Sequence, residues 1–342
     1  MLMEVLIFGS KTLILVVAIA AILLLIALLI AKASQKSELE IEPLHKKYKD
    51  MAFFLKSFTA TKDEMKAEKK KRKAEEKAEK KGDKLGTNSS LQKKVFVLNF
   101  DGDIQASQAE HLREEITAVL QSATSQDEIV VKVESPGGVV HGYGLAASQL
   151  LRIRERKIPL TICVDKVAAS GGYMMACVAN KIVCAPFAIV GSIGVVAQVP
   201  NLHRVLKKHD VDYKEYTAGE YKRTVSLLGE ITPKGEEKFV ERLNDTHVLF
   251  KNFVHQFRPQ VDMAKVATGE YWFGQEAQTM GLVDHLQTSD DYLMSFEKDT
   301  PIFEVSYHIK QSLADRIGDM VGKLTATVAD KLLATLGRGS AL

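Results

Sequence analysis

At 342 residues and 46% apolar content, the chain is long enough for one or two packed domains with appendages. A formal net charge of only +3 leaves no broad basic surface, which argues against a nucleic-acid partner. Cys163, Cys177 and Cys184 sit in apolar runs without metal-ligand spacing and read as small buried hydrophobes. There is no His-Glu-x-x-His pair and no Gly-Lys-Ser/Thr phosphate loop, so neither metal nor cofactor is expected.

In chain order, residues 12–31 are 20 residues without a charge, which as a helix would span a hydrocarbon core of about 30 Å. The run is too long for the apolar part of a cleaved signal peptide, so residues 1–32 are expected to anchor the chain in a lipid bilayer through 12–31. Residues 33–92 read as a charged helical or disordered spacer. Its segment 62–84 carries 11 Lys/Arg against 7 Asp/Glu and almost no apolar residue. Gly82 to Ser90 is expected to break any helix and to mark a domain boundary.

From residue 93 to about 290 the pattern alternates strand and helix. Strands are predicted at 95–100, 129–133, 160–164 and 181–184, and helices at 107–121, 142–154 and 171–179. Short β-branched runs separated by amphipathic helices imply βαβ units and a buried, largely parallel sheet. Thr232-Pro233 supplies an N-cap and a first-turn proline for a long helix, with Phe239, Val240, Leu243, Phe250, Val254 and Phe257 on its apolar face. His203 to His209 reads as a polar helix face. Residues 291–342 are expected to hold a strand and an amphipathic helix, striped by Leu313, Ile317, Val321, Leu324, Val328, Leu332 and Leu336.

Four small-residue turns carry the candidate chemistry. Asp165-Lys-Val-Ala-Ala-Ser-Gly-Gly-Tyr-Met-Met-Ala176 places Ser170 between a strand and a helix. A hydroxyl there suits a nucleophile, and Gly171 lets a backbone N–H approach an oxyanion. Ser135-Pro-Gly-Gly138 closes a strand and could supply a second amide. Val190-Gly-Ser-Ile-Gly194 carries Ser192, and Ala218-Gly-Glu-Tyr-Lys222 carries Lys222. The base could be a histidine, with His141 and His203 nearest in sequence, or a lysine acting as a neutral amine.

At this point the chain resembles the Ser-Lys signal peptide peptidase A family. The similarity rests on Asn99-Phe-Asp-Gly-Asp-Ile104, Ser135-Pro-Gly-Gly138, Ala168-Ala-Ser-Gly-Gly-Tyr173, Gly191-Ser-Ile-Gly-Val195, Tyr221-Lys222, Gly269-Glu-Tyr-Trp-Phe-Gly274 and Gly281-Leu-Val-Asp284. The resemblance implies that residues 93–290 form an α/β peptidase domain of the crotonase/Clp-protease-like kind. It implies Ser170 as nucleophile, Lys222 as base, Ser192 orienting that lysine, and Gly137 and Gly171 as oxyanion amides, with Gly138 competing for the first place. Beyond Lys222 the sequence Arg-Thr-Val-Ser departs from many relatives. The resemblance further implies a homo-oligomeric ring sharing catalytic residues between subunits, and polypeptide substrates that are membrane-associated or translocated. Five lysines (Lys32, Lys36, Lys46, Lys47, Lys49) shortly after the apolar run favour a cytoplasmic catalytic domain. The resemblance implies a bacterial inner-membrane protein facing the periplasm, and that reading is taken. The same fold class also hosts acyl-CoA hydratases and isomerases, and a non-catalytic membrane scaffold is a third reading.

Overall fold

The computed structural model describes residues 37–85, 93–296 and 300–309. The expected anchor at 12–31 and the stripe from Leu313 lie outside the described residues. Among the described residues no helix is long and apolar enough to cross a membrane. Residues 41–306 form one compact unit, while residues 37–40 and 307–309 fall in a second. Within that second unit, His308 Nε2 lies 3.5 Å from a Glu40 carboxylate oxygen.

The main sheet comprises β1 (Ser37–Pro43), β2 (Val95–Asp101), β3 (Glu128–Glu134), β4 (Leu160–Val164), β6 (Lys181–Cys184), β9 (His285–Leu286) and β10 (Ile302–Ile309). Its order is β1-β10-β2-β3-β4-β6-β9, and it is parallel from β10 through to β9. A parallel sheet needs crossovers, and α3 (Ala109–Ser122) and α4 (Val140–Glu155) provide them on either side of β3. Alternation along β2 shows why both faces are dry. Phe96, Leu98 and Phe100 join the core under α3 and α4, whereas Val95 and Val97 join a second cluster with Leu44, Tyr292 and Leu293. Leu44 opens α1 (Leu44–Thr59), and the other two belong to α10 (Ser289–Met294).

The charged segment forms α2 (Lys62–Leu85), which passes Gly82; residues 86–90 of the stretch expected to break it lie outside the described residues. Its start has a local cause. Glu64 N–H donates to Thr61 Oγ1 at 3.4 Å, and Thr61 N–H donates to the Glu64 carboxylate at 2.8 Å, a reciprocal cap. A single glycine costs a helix about 1 kcal/mol, too little to stop one rich in Lys, Glu and Ala. The long helix α7 (Pro233–Phe257) starts as expected, with Thr232 Oγ1 accepting from Gly235 N–H at 3.1 Å. Of its expected apolar face only Phe250 and Val254 are buried, and Val240 stays exposed. The expected His203 segment is α6 (His203–Lys208).

Several elements have no counterpart among those expected from the sequence: β1, in the stretch expected to be a spacer, β9, α10 and a further small sheet. A second sheet, ordered β5-β7-β8, joins β5 (Val167–Ala169), β7 (Ile189–Gly191) and β8 (Tyr271–Phe273). Three residues per strand are too few for a period to show. This small sheet positions the candidate site.

Candidate active site

Strands β5 and β7 are parallel, with Ala169 opposite Gly191, so each strand delivers a serine at its next residue. Ser170 N–H donates to Gly191 O at 2.8 Å, and Ser192 N–H donates to Glu270 O at 2.7 Å. Both serines carry positive φ: Ser170 has φ 53° and ψ −117°, and Ser192 has φ 51°. Non-glycine residues avoid that region at a cost of about 1–3 kcal/mol, and such outliers cluster at functional sites. Ser170 is also the residue before α5 (Gly171–Ala176). A strand, a strained serine and a helix in succession form a sharp elbow, which holds the hydroxyl out of both elements.

Glycines surround this elbow because side chains do not fit. A Cβ on Gly171 would lie 2.3 Å from Cγ of Tyr143, and one on Gly137 would lie 2.7 Å from the Ser170 Cβ. Gly137 also has φ +91°, and a Cβ on Gly138 would stand 2.0 Å from the Ile104 carbonyl oxygen. The 135–138 turn is docked against the elbow through a parallel bridge of Ser135 with Ala168. Ser135 N–H donates to Val167 O at 2.8 Å, and Ala169 N–H donates to Ser135 O at 3.0 Å.

The two glycines of the turn differ in what their amides do. Gly137 is buried and its N–H donates to Ser135 Oγ at 3.1 Å. Gly138 is exposed, and among the described residues neither its N–H nor that of Gly171 has a hydrogen-bond partner. Gly138 in the turn and Gly171 next to Ser170 therefore both have amides without a partner.

The other expected residues are not assembled. Lys222 is exposed on a segment without helix or strand, and its backbone N–H donates to Gly219 O at 3.1 Å. Among the described residues no hydrogen bond joins Lys222 to Ser170 or Ser192. His141 is exposed, and neither it nor His203 bonds either serine. His247, which the sequence did not single out, has Nε2 3.1 Å from Ile193 O, so α7 reaches the residue after Ser192. Trp272, the chain's one tryptophan, packs against Gly191, where a Cβ would lie 2.8 Å from its Cδ1. Only its place beside the Gly191 register on β8 explains that contact, and no local signal announces it.

The cysteines are buried and free, as expected. Burial pushes the Cys163 and Cys184 thiols up to about 12 and Cys177 higher still, so none is a thiolate at neutral pH. Among the described residues no group of His, Cys, Asp and Glu could hold a metal ion.

Residues 1–150 match the N-terminal model of peptidase family S49, and residues 152–302 match that of peptidase family S49 itself. The chain belongs to peptidase family S49. This is the signal peptide peptidase A family, so the chain is a serine peptidase by class. It is 52% identical over 311 residues to the probable protease SohB of Haemophilus influenzae, covering 89% of this chain and 88% of that one. It is 49% identical over 245 residues to the probable protease SohB of Buchnera aphidicola from Acyrthosiphon pisum, 72% of this chain and 71% of that. The chloroplastic serine protease SPPA of Arabidopsis thaliana is 32% identical over 182 residues, 52% of this chain and 26% of that. Among solved structures, a mutant of the 1510-N membrane-bound stomatin-specific protease aligns with TM-score 0.38 and 18% identity, over 60% of this chain and 84% of that one.

Proposed function

We propose that this S49 peptidase is a membrane-anchored endopeptidase working through a Ser170–Lys222 dyad and an acyl-enzyme. The observation that carries the reading is the strained Ser170 backbone, φ 53° and ψ −117°, followed directly by the unpaired amide of Gly171. Lys222, as a neutral amine, takes the Ser170 Oγ proton while Oγ bonds to the scissile carbonyl carbon. The developing oxyanion is held by the N–H groups of Gly171 and Gly138, and Gly137 supports the turn from behind. The Lys222 ammonium then protonates the departing amine as the C–N bond breaks. Water, losing a proton to Lys222, cleaves the ester and Ser170 regains its hydrogen. The Ser192 hydroxyl orients the amine.

Ser170→Ala tests this reading. It should abolish cleavage of a casein-type substrate and labelling by an active-site serine probe, with circular dichroism unchanged. Residual turnover above a thousandth of the native rate would sink the nucleophile assignment, since such knockouts cost about 10⁶-fold in a related logic of catalysis.

The apolar run at 12–31 supports a bilayer anchor, and polypeptides met at the inner membrane are the substrates proposed. The catalytic domain faces the periplasm in this reading. Alkaline phosphatase fused after residue 90 should be active and green fluorescent protein dark. The reverse pair would place the domain in the cytoplasm, as the lysines at 32–49 favour.

A further inference from the structure

Beneath the two glycine turns runs a chain of hydrogen bonds that the dyad does not use. Gly137 N–H donates to Ser135 Oγ at 3.1 Å. Ser135 Oγ is bonded to the Tyr143 phenol, and Tyr143 Oη donates to Asp103 O at 2.7 Å. The phenol has one proton, and the Asp103 carbonyl takes it. Ser135 must therefore donate to the phenol, which fixes one direction throughout: amide, hydroxyl, phenol, carbonyl. Such chains polarise one another, and a buried hydroxyl left without a partner is costly.

Ser135 and Tyr143 are both 0% exposed. Room is made for them by Gly102, where a Cβ would stand 2.5 Å from the phenol oxygen and 2.6 Å from Ser135 Oγ. Burial raises the Tyr143 phenol above its ordinary value, overriding the Ser135 hydrogen bond that lowers it, so the donor keeps its proton. The same tyrosine ring lies directly against the Gly171 backbone. One side chain thus touches both turns: the first through Ser135 and Gly137, the second through ring contact.

We infer that the buried Ser135–Tyr143 pair is the positioning element of the oxyanion site, holding the turn so that Gly138 N–H stays free and bracing Gly171 opposite it. This rests on the protease reading above. Neither residue touches substrate; both act through the glycine amides. Because an oxyanion exists only in the transition state, a displaced donor lowers kcat and leaves KM alone.

The test uses the full-length protein and three variants, Tyr143→Phe, Ser135→Ala and the double. Tyr143→Phe deletes one oxygen and keeps the ring on Gly171; Ser135→Ala carries the test if that variant does not fold. Each single change should lower kcat by about 10- to 100-fold, below the loss of a whole oxyanion donor, with KM within about twofold. The double variant should be no slower than the slower single, because either change breaks the same chain. Hydrogen exchange followed by mass spectrometry should quicken in peptides covering 135–142. Native-like kcat in both singles, multiplying losses in the double, or a rise in KM matching the fall in kcat would overturn the inference. A native protein with no turnover would fail the protease reading instead, and the exchange data would still judge the chain, since unchanged exchange in both singles overturns it.

Discussion

Two parts of the molecule meet the same task in opposite ways. Around Ser170 the backbone is over-determined: parallel register with β7, a bridge from Ser135, and glycines that no other residue could replace. Around Lys222 none of this holds. Residues 195–232 contain one short helix, and their surface shows Val196, Val199, Leu202, Val205, Val211, Tyr213, Tyr216, Tyr221 and Leu227. The chain alone holds Ser170, the proposed nucleophile, in a fixed frame and leaves the proposed base on an open, apolar segment. Strain at Ser170 can persist only on a rigid support, whereas nothing comparable holds the segment that carries Lys222.

The sharpest way to break this contrast is at Lys222. Lys222→Ala and Lys222→Arg should both lose at least about a thousandfold in kcat, because a guanidinium stays charged and cannot take a proton. His141→Ala and His203→Ala should keep most activity. Mixing inactive Ser170→Ala with inactive Lys222→Ala should restore part of the activity where nucleophile and base come from different copies of the chain. A dead His203→Ala beside an active Lys222→Ala would require a different base. Failure of the mixture to recover, with both variants assembled, would place nucleophile and base in one chain.

The same contrast explains what the sequence disclosed. Strands 160–164 and 181–184 are visible because continuous β-branched runs survive only where both faces are buried. Ser170 is visible because a strand, small residues and a helix leave a local imprint. The β5-β7-β8 sheet is not visible, since β8 joins it from about 80 positions further along the chain and its strands have no measurable period. Ser192 is legible only as a turn serine; its place beside Ser170 comes from that hidden register. Tyr143 looks like one more helical core residue, and nothing in Val140–Glu155 marks its hydroxyl as the partner of Ser135. Gly137 and Gly138 cannot be ranked without knowing which amide faces the Ser135 hydroxyl. Lys222 stands furthest from legibility, because no hydrophobic pattern around it specifies a fold.

The smallest expected effect on catalysis, though not on stability, concerns the rigid half itself. Arg258 closes its framework, donating to both Asp284 oxygens at 2.8 and 2.9 Å and to Gly281 O at 2.8 Å. Asp284 in turn accepts from Ile182 N–H at 2.7 Å, tying the end of α7 to β6. Burial alone would raise the Asp284 carboxyl, but the Arg258 bonds, the Ile182 amide and the arginine's charge together hold it below its ordinary value. A carboxylate depressed in the folded state stabilises it above the unfolded value, and the contribution fades as pH falls through the folded one. The window therefore opens near the ordinary value of 3.8 and extends below it. Arg258→Met should destabilise by about 3 kcal/mol at neutral pH, the low end for a broken buried pair because Asp284 is 30% exposed. Melting temperatures of native and variant protein should differ most near pH 7 and converge only as pH falls from 3.8 through the lower folded value, where Asp284 becomes neutral in the native protein too. At 25 °C the folded variant should keep a near-native kcat, since the pair lies outside the elbow. A gap in melting temperature that does not change with pH would show that Arg258 acts by packing alone, and that the carboxylate contributes nothing to the framework.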